Sequence, residues 1–214
     1  MPQHAAGERL IVSDACVAEG AAWLADREPR FAMALAQTGP LPLRLRPDGF
    51  GQLLHAIVAQ QVSVASARAI WAKLETAGLT DPAVVRAATP DDLRAVGLSR
   101  QKATYAKALA EAGIDFDALR DQPLDHVVTE LTRVKGIGIW TAEIYAMFSL
   151  GRADVFAPGD LALQEAARAL FDLPQRPKDK DLRAMAEAWR PWRSVAARTL
   201  WAYYHVAKDR EGIT

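Results

Sequence analysis

Apolar residues recur at intervals of three and four along almost the whole chain, and helix start and stop signals interrupt the pattern at short spacing. Ala, Leu, Arg, Glu and Gln dominate, whereas continuous β-branched runs are scarce, which favours helix throughout. Asp81-Pro82 and Thr89-Pro90 each pair an N-cap residue with proline at the first helical position. Gly78, Gly97 and Gly113 stand where helices would stop. The pattern predicts helices over 14–26, 29–37, 49–61, 63–77, 82–88, 91–96, 100–112, 124–132, 138–149, 160–171, 179–189 and 192–208.

Two breaks suggest how these helices are grouped. Leu41-Pro42-Leu43-Arg44-Leu45-Arg46-Pro47 cannot be a regular helix, because two prolines interrupt it, so it reads as an extended crossing. A second break runs from Gly151 to Gly159. The expectation is an all-α fold of two helical lobes with a cleft between them. One lobe covers about 48–152, and the other joins 10–47 to 153–214.

Composition narrows the function. The chain has 214 residues, half of them hydrophobic and 24% charged, as in ordinary globular proteins. No apolar run approaches the roughly 18–20 residues of a membrane span. Met1 to Arg9 lacks the basic-then-apolar pattern of a signal peptide. A single cysteine, Cys16, excludes an internal disulfide, a four-cysteine zinc site and an iron–sulfur cluster within the chain. A reducing, cytoplasmic setting is therefore expected, and nothing demands more than a monomer. The formal net charge is zero, so any phosphate contacts must come from local patches. Basic residues do sit beside loop signals: Arg133 and Lys135, Arg100 and Lys102, Arg190 and Arg193.

The segment from Leu131 to Ala142 carries the first candidate chemistry. In Val134-Lys135-Gly136-Ile137-Gly138-Ile139-Trp140-Thr141, two glycines flank one apolar residue between two helix-compatible stretches. Glycine tolerates positive φ and permits close backbone approach. A helix starting at about Gly138 would aim free N–H groups and its positive dipole end out of the hairpin, a cradle for phosphate independent of base sequence. Asp160 lies 20 residues beyond Trp140, just before Leu161-Ala162-Leu163. It reads as a helix N-cap, and a capping carboxylate facing a cleft can also stabilise a developing cation and orient a water.

The hairpin followed by Asp160 resembles the helix-hairpin-helix DNA glycosylase superfamily, and within it the alkylpurine branch. Three other segments are similar to that branch: Ala56-Ile57-Val58-Ala59-Gln60-Gln61-Val62-Ser63, Val96-Gly97-Leu98-Ser99-Arg100-Gln101-Lys102-Ala103 and Trp189-Arg190-Pro191-Trp192-Arg193-Ser194. The likeness covers about 45–205, as in a compact helical member lacking a large mixed N-terminal domain. It implies that Asp160 is the essential carboxylate and that Gly136 and Gly138 hold a DNA phosphate. Lys135, Ser63, Lys102 and Arg193 would contribute to DNA binding. Trp140 and Trp201 would line the base pocket with Ile144, which replaces a family tyrosine, and the adjacent Tyr145. Gln61 stands where the family places an apolar wedge that fills the gap left by the flipped base. The backbone carbonyls of Thr132, Val134 and Ile137 would hold a sodium or potassium ion, with no other cofactor required.

Bifunctional members carry a lysine at the position of Trp140. Indole has no amine to form a Schiff base, so the resemblance implies a monofunctional enzyme. The expected activity is excision of 3-methyladenine, 7-methylguanine and related purines from double-stranded DNA. Three alternatives stay open: a non-catalytic helix-hairpin-helix DNA-binding protein, a glycosylase for other damaged bases, and an all-helical protein-interaction module.

Overall fold

The protein is represented by a computed structural model that describes residues 7–211, with side chains over 7–208. Most of the N-terminal stretch, Met1 to Arg9, lies outside the described residues. Chain order begins with α1 (Asp14–Arg27) and α2 (Pro29–Thr38). It continues with α3 (Phe50–Ala59), α4 (Val64–Thr76), α5 (Pro82–Ala87), α6 (Pro90–Ala95) and α7 (Arg100–Glu111). Then follow α8 (Phe116–Arg120), α9 (Leu124–Thr132), α10 (Ile139–Phe148), α11 (Leu161–Leu170), α12 (Asp179–Ala186) and α13 (Arg193–Glu211). A single 3-10 turn, Glu187–Trp189, precedes α13. Among the described residues the only β pairing is one antiparallel bridge between Leu10 and Arg152, so the fold is all-α.

The predicted start signals act as caps. Asp81 accepts from the N–H groups of Ala83 and Val84, and Thr89 forms a reciprocal capping box with Asp92. Gly78, Gly97 and Gly113 all take positive φ after their helices. The five-residue helix α8 was not predicted. It is too short for a periodicity signal, and Asp115, which accepts from the N–H of Ala118, was its local trace.

The chain divides into two compact units, residues 46–145 and residues 1–45 with 146–214. In the 46–145 unit, α7 packs against α3, α5 and α6. Its buried face is Ala103, Ala106, Leu109 and Ala110, small residues at helical spacing that allow close helix approach. Tyr145 is buried here. Its hydroxyl accepts from the Gly49 N–H at 2.7 Å, and burial pushes its pKa up to about 12.

In the other unit, α13 packs against α1, α2 and α11. Leu163, Ala166, Ala167 and Leu170 form the buried stripe of α11. Phe31 meets Phe171 and Trp189 edge-on, with ring centroids 5.8 and 5.3 Å apart. Arg198 is buried on α13. Its guanidinium donates to the carbonyls of Leu43 and Ser194 and lies over the Phe148 ring, 4.8 Å from the centroid. These contacts anchor the extended segment, and Leu43 shows what the proline-bounded crossing packs on. Among the described residues, no helix is long and apolar enough to cross a membrane.

Candidate active site

Asp160 is the N-cap of α11, with φ −75° and ψ 120°. Its Oδ1 accepts from the N–H groups of Ala162 and Leu163, at 2.9 and 3.1 Å. A third donor arrives from 41 residues further along: the indole Nε1 of Trp201 donates to the same oxygen at 3.2 Å. Two of these bonds are what any aspartate N-cap makes. The third is not, and it fixes the carboxylate from outside its own helix. The Trp201 ring is in turn held by Phe148, 5.7 Å away between centroids at 32°. Both Asp160 and Trp201 remain half-exposed, so the carboxylate is at once restrained and accessible.

In the 46–145 unit, α9 and α10 form the helix-hairpin-helix. The Val134 carbonyl accepts from the Ile137 N–H at 3.0 Å, and Gly136 has φ 98°, the signature of a type II turn with glycine at its third position. A Cβ on Gly136 would also lie 2.3 Å from Cγ of Tyr105, so this glycine is required by the protein's own packing. Gly138 differs. It does not take positive φ, and a Cβ there would meet nothing within 4 Å. No feature of the fold demands glycine at 138, whereas close approach of an external group to the main chain would. The first bond of α10 runs from the Ala142 N–H to the Gly138 carbonyl at 3.0 Å. Preceding N–H groups, from Gly138 and Ile139, therefore have no acceptor within the helix.

The hairpin borders a groove of about 590 Å³. Its other walls come from Gln60, Gln61 and Val62 after α3, and from Ser99, Gln101, Lys102 and Tyr105 at the start of α7. Gln61 is exposed and takes φ 54°, a left-handed conformation that costs a non-glycine residue about 1 kcal/mol or more. Ser63 caps α4, accepting from the Ser66 N–H at 3.1 Å. Trp140 is 47% exposed in the first turn of α10, and Ile144 lies one helical turn below it. Lys135 is exposed at the hairpin turn.

Three residues assigned by resemblance have their polar atoms engaged elsewhere. Arg193, with 11% of its side chain exposed, donates to both Asp154 and Glu187, so its charge is matched internally. Lys102 donates from Nζ to the Val58 carbonyl at 2.7 Å, capping the end of α3, and burial lowers its pKa. Tyr145 is buried with its hydroxyl on the Gly49 N–H and its ring beside Phe116, 6.4 Å away. These contacts give Arg193, Lys102 and Tyr145 structural work within the protein, and Lys102 also lines the groove beside the hairpin. Their partners are too far along the chain for sequence to reveal.

Comparison with known proteins fits this geometry to a family. A profile of the HhH-GPD superfamily of base excision DNA repair proteins matches residues 54–193, which include the hairpin and Asp160. The chain belongs to this superfamily. Among individual HhH-GPD relatives, DNA-3-methyladenine glycosylase 1 of Schizosaccharomyces pombe is 30% identical over 168 residues, spanning 73% of this chain and 72% of the relative. A DNA-3-methyladenine glycosidase structure from Bacillus halodurans superposes with a TM-score of 0.79 at 32% identity, covering 87% of this chain and 89% of that one. The S. pombe 3-methyladenine DNA glycosylase Mag1, solved in complex with abasic DNA, gives a TM-score of 0.74 at 27% identity, with 86% and 95% covered.

Two features of this HhH-GPD chain escaped the sequence. Gln60 donates from Nε2 to the Gly136 carbonyl at 3.0 Å, and the Tyr105 ring supports the hairpin turn from below. Gln60 was visible only as part of a motif. Tyr105 carried no signal beyond helical spacing from Gln101, which donates to its hydroxyl at 2.5 Å.

Proposed function

We propose that this chain is a monofunctional DNA glycosylase that excises alkylated purines, among them 3-methyladenine and 7-methylguanine, in base excision repair. The observation that carries this reading is the Asp160 carboxylate, held by two backbone N–H groups and the Trp201 indole in a chain of the HhH-GPD superfamily. The chain spans most of the length of relatives named as 3-methyladenine glycosylases, which supports the substrate class.

The chemistry follows from the residues. A base stacked in a duplex is out of reach, so the nucleotide swings out at a cost of a few kcal/mol, less for a damaged base. The Gly138 and Ile139 N–H groups at the start of α10 hold a backbone phosphate, which glycine at 138 lets come close. Gln61 occupies the vacated space, with Ser63 and Lys135 beside the backbone. Alkylation at N3 or N7 makes the purine cationic and a good leaving group, so no strong general acid is needed. The exposed Trp140, with Ile144 beside it on α10, offers aromatic and apolar surface to that base, with cation–π attraction of about 0.5–2 kcal/mol, and Trp201 flanks Asp160. As the glycosidic bond breaks, positive charge develops on the sugar. Asp160 stabilises it electrostatically and positions the water that adds to the sugar. With tryptophan at 140 there is no amine for a Schiff base, and the abasic strand stays intact.

At the hairpin, the Thr132, Val134 and Ile137 carbonyls would hold a monovalent cation. The Val134 oxygen accepts one hydrogen bond, from Ile137, and a carbonyl oxygen has a second lone pair to offer. Such an ion would neutralise carbonyl dipoles beside the bound phosphate. The protein acts as a monomer on double-stranded DNA.

A base-release assay on duplexes carrying 3-methyladenine, 7-methylguanine, ethenoadenine, hypoxanthine or 8-oxoguanine tests the reading. Release of the methylated purines, with 8-oxoguanine left in place, is expected. Binding without release of any base would instead support a non-catalytic DNA-binding module.

A further inference from the structure

Gln60 lies 76 residues from Gly136 in sequence, yet its side-chain amide donates to the Gly136 carbonyl at 3.0 Å. We propose that Gln60 is a positioning residue for the phosphate cradle, fixing the hairpin peptide from which the anion-binding N–H groups follow. The inference rests on the phosphate-holding reading of the hairpin given above.

The peptide between Gly136 and Ile137 has one acceptor and one donor. Its carbonyl is held by Gln60, and its N–H is held by the Val134 carbonyl at 3.0 Å. With both ends bonded, the peptide plane cannot rotate without breaking a hydrogen bond. The Tyr105 ring closes the remaining side, since any Cβ on Gly136 would strike it at 2.3 Å. The next peptide carries the N–H of Gly138, the first donor of the cradle. Its direction is therefore set by Gln60 on one side and by the start of α10 on the other.

Gln60 is itself anchored. It is the C-cap residue of α3, and the last turn of that helix is tied to α7 by the bond from Lys102 Nζ to the Val58 carbonyl. The next residue, Gln61, turns away at φ 54°. One glutamine therefore sits between the strained turn that carries Gln61 and the hairpin. Both line the same groove. A hairpin alone could bind a phosphate in several orientations. A hairpin braced by Gln60 binds it in a fixed register to the Gln61 turn.

The test uses the full chain with Gln60→Met, which keeps the length and removes the donor, and Gln60→Asn, which keeps the amide but shortens its reach. Affinity for a duplex with a stable abasic-site analogue is measured over a potassium chloride series, beside single-turnover release of 3-methyladenine at saturating enzyme. Both variants should weaken binding by about 5- to 10-fold, as loss of one hydrogen bond implies. The dependence of log K on log salt should stay as in the parent, because the cradle donors are uncharged N–H groups and no Lys or Arg contact is lost. Single-turnover release at saturating enzyme should fall no more than binding does. A merely structural tie would lower thermal stability and leave affinity for the abasic-site duplex within about twofold of the parent, and that result overturns the proposal. So does a loss confined to the single-turnover rate. If Gln60→Met does not fold, Gln60→Asn decides by the same readings, and amide exchange at Ile137–Thr141 should quicken in it. A parent protein that releases no alkylated purine would count against the function, whereas a parent that releases it, with variants that bind the abasic-site duplex as tightly as it does, would count against the Gln60 assignment alone.

Discussion

The indole N–H of Trp201 donates to Oδ1 of Asp160 at 3.2 Å, so an aromatic side chain on α13 restrains the carboxylate that caps α11. Trp201→Phe keeps an aromatic ring beside Phe148 while removing the donor and the second ring of the indole. Since a charge-assisted hydrogen bond is worth about 1.5–3 kcal/mol, single-turnover release should fall by roughly 10- to 100-fold. Binding to an abasic-site duplex should change less than about threefold. Release at the parent rate would show that the indole donor does not restrain the carboxylate.

The two hairpin glycines should respond differently to alanine. At Gly136 a Cβ meets Tyr105 and the backbone has φ 98°, so Gly136→Ala should lower folding stability by about 2 kcal/mol or more. At Gly138 the added methyl meets nothing in the protein, so Gly138→Ala should melt within a few degrees of the parent while losing about tenfold in DNA affinity. Chemical denaturation and fluorescence binding on the two variants check this contrast. Similar behaviour in both assays would remove the reason for assigning Gly138 to a ligand.

Tyr145 makes stability fall in alkali. Its folded pKa is raised to about 12 by burial, against about 10 in the unfolded chain. Between those values the unfolded state has lost a proton that the folded state keeps, so stability contributed by the neutral phenol is complete below pH 10 and is lost as pH rises towards 12. Two pKa units correspond to about 2–3 kcal/mol. At neutral pH, Tyr145→Phe should cost about 1 kcal/mol through the lost bond to Gly49. That difference should shrink and then reverse above pH 10. Urea titrations of both proteins across the range measure it, and a constant difference would contradict the assignment.

Borohydride added during turnover traps any enzyme that forms a Schiff base with the sugar. Trp140 offers no amine, so no covalent protein–DNA adduct should form and the abasic strand should remain uncut. A trapped adduct would require a lysine elsewhere to reach the sugar, and the monofunctional reading would fall.

Much of the fold was legible because the signals that set it are local. Asp81, Thr89 and Ser99 cap the helices that follow them, and proline follows the first two. The alternation of three and four in Leu163, Ala166, Ala167 and Leu170 is the buried face of α11 itself. Asp160 and the glycine pair could be singled out for the same reason, since a cap and a turn each need particular residue types. What escaped depends on long-range partners. The Arg193 guanidinium donates to Asp154, 39 residues earlier. Lys102 spends its charge on a carbonyl 44 residues away, and Gln60 reaches one 76 residues away. Side-chain-to-carbonyl bonds leave no pattern in sequence, because the acceptor is common to every residue.

The central claim is that Asp160 supplies the charge that drives base release. Asp160→Asn keeps an oxygen for the α11 cap and for the Trp201 indole and removes the negative charge. The decisive measurement is single-turnover release of 3-methyladenine and 7-methylguanine from alkylated duplex DNA by this variant, beside its affinity for an abasic-site duplex. The account predicts a loss of about 100-fold or more in release with binding retained. Release at the parent rate would contradict it.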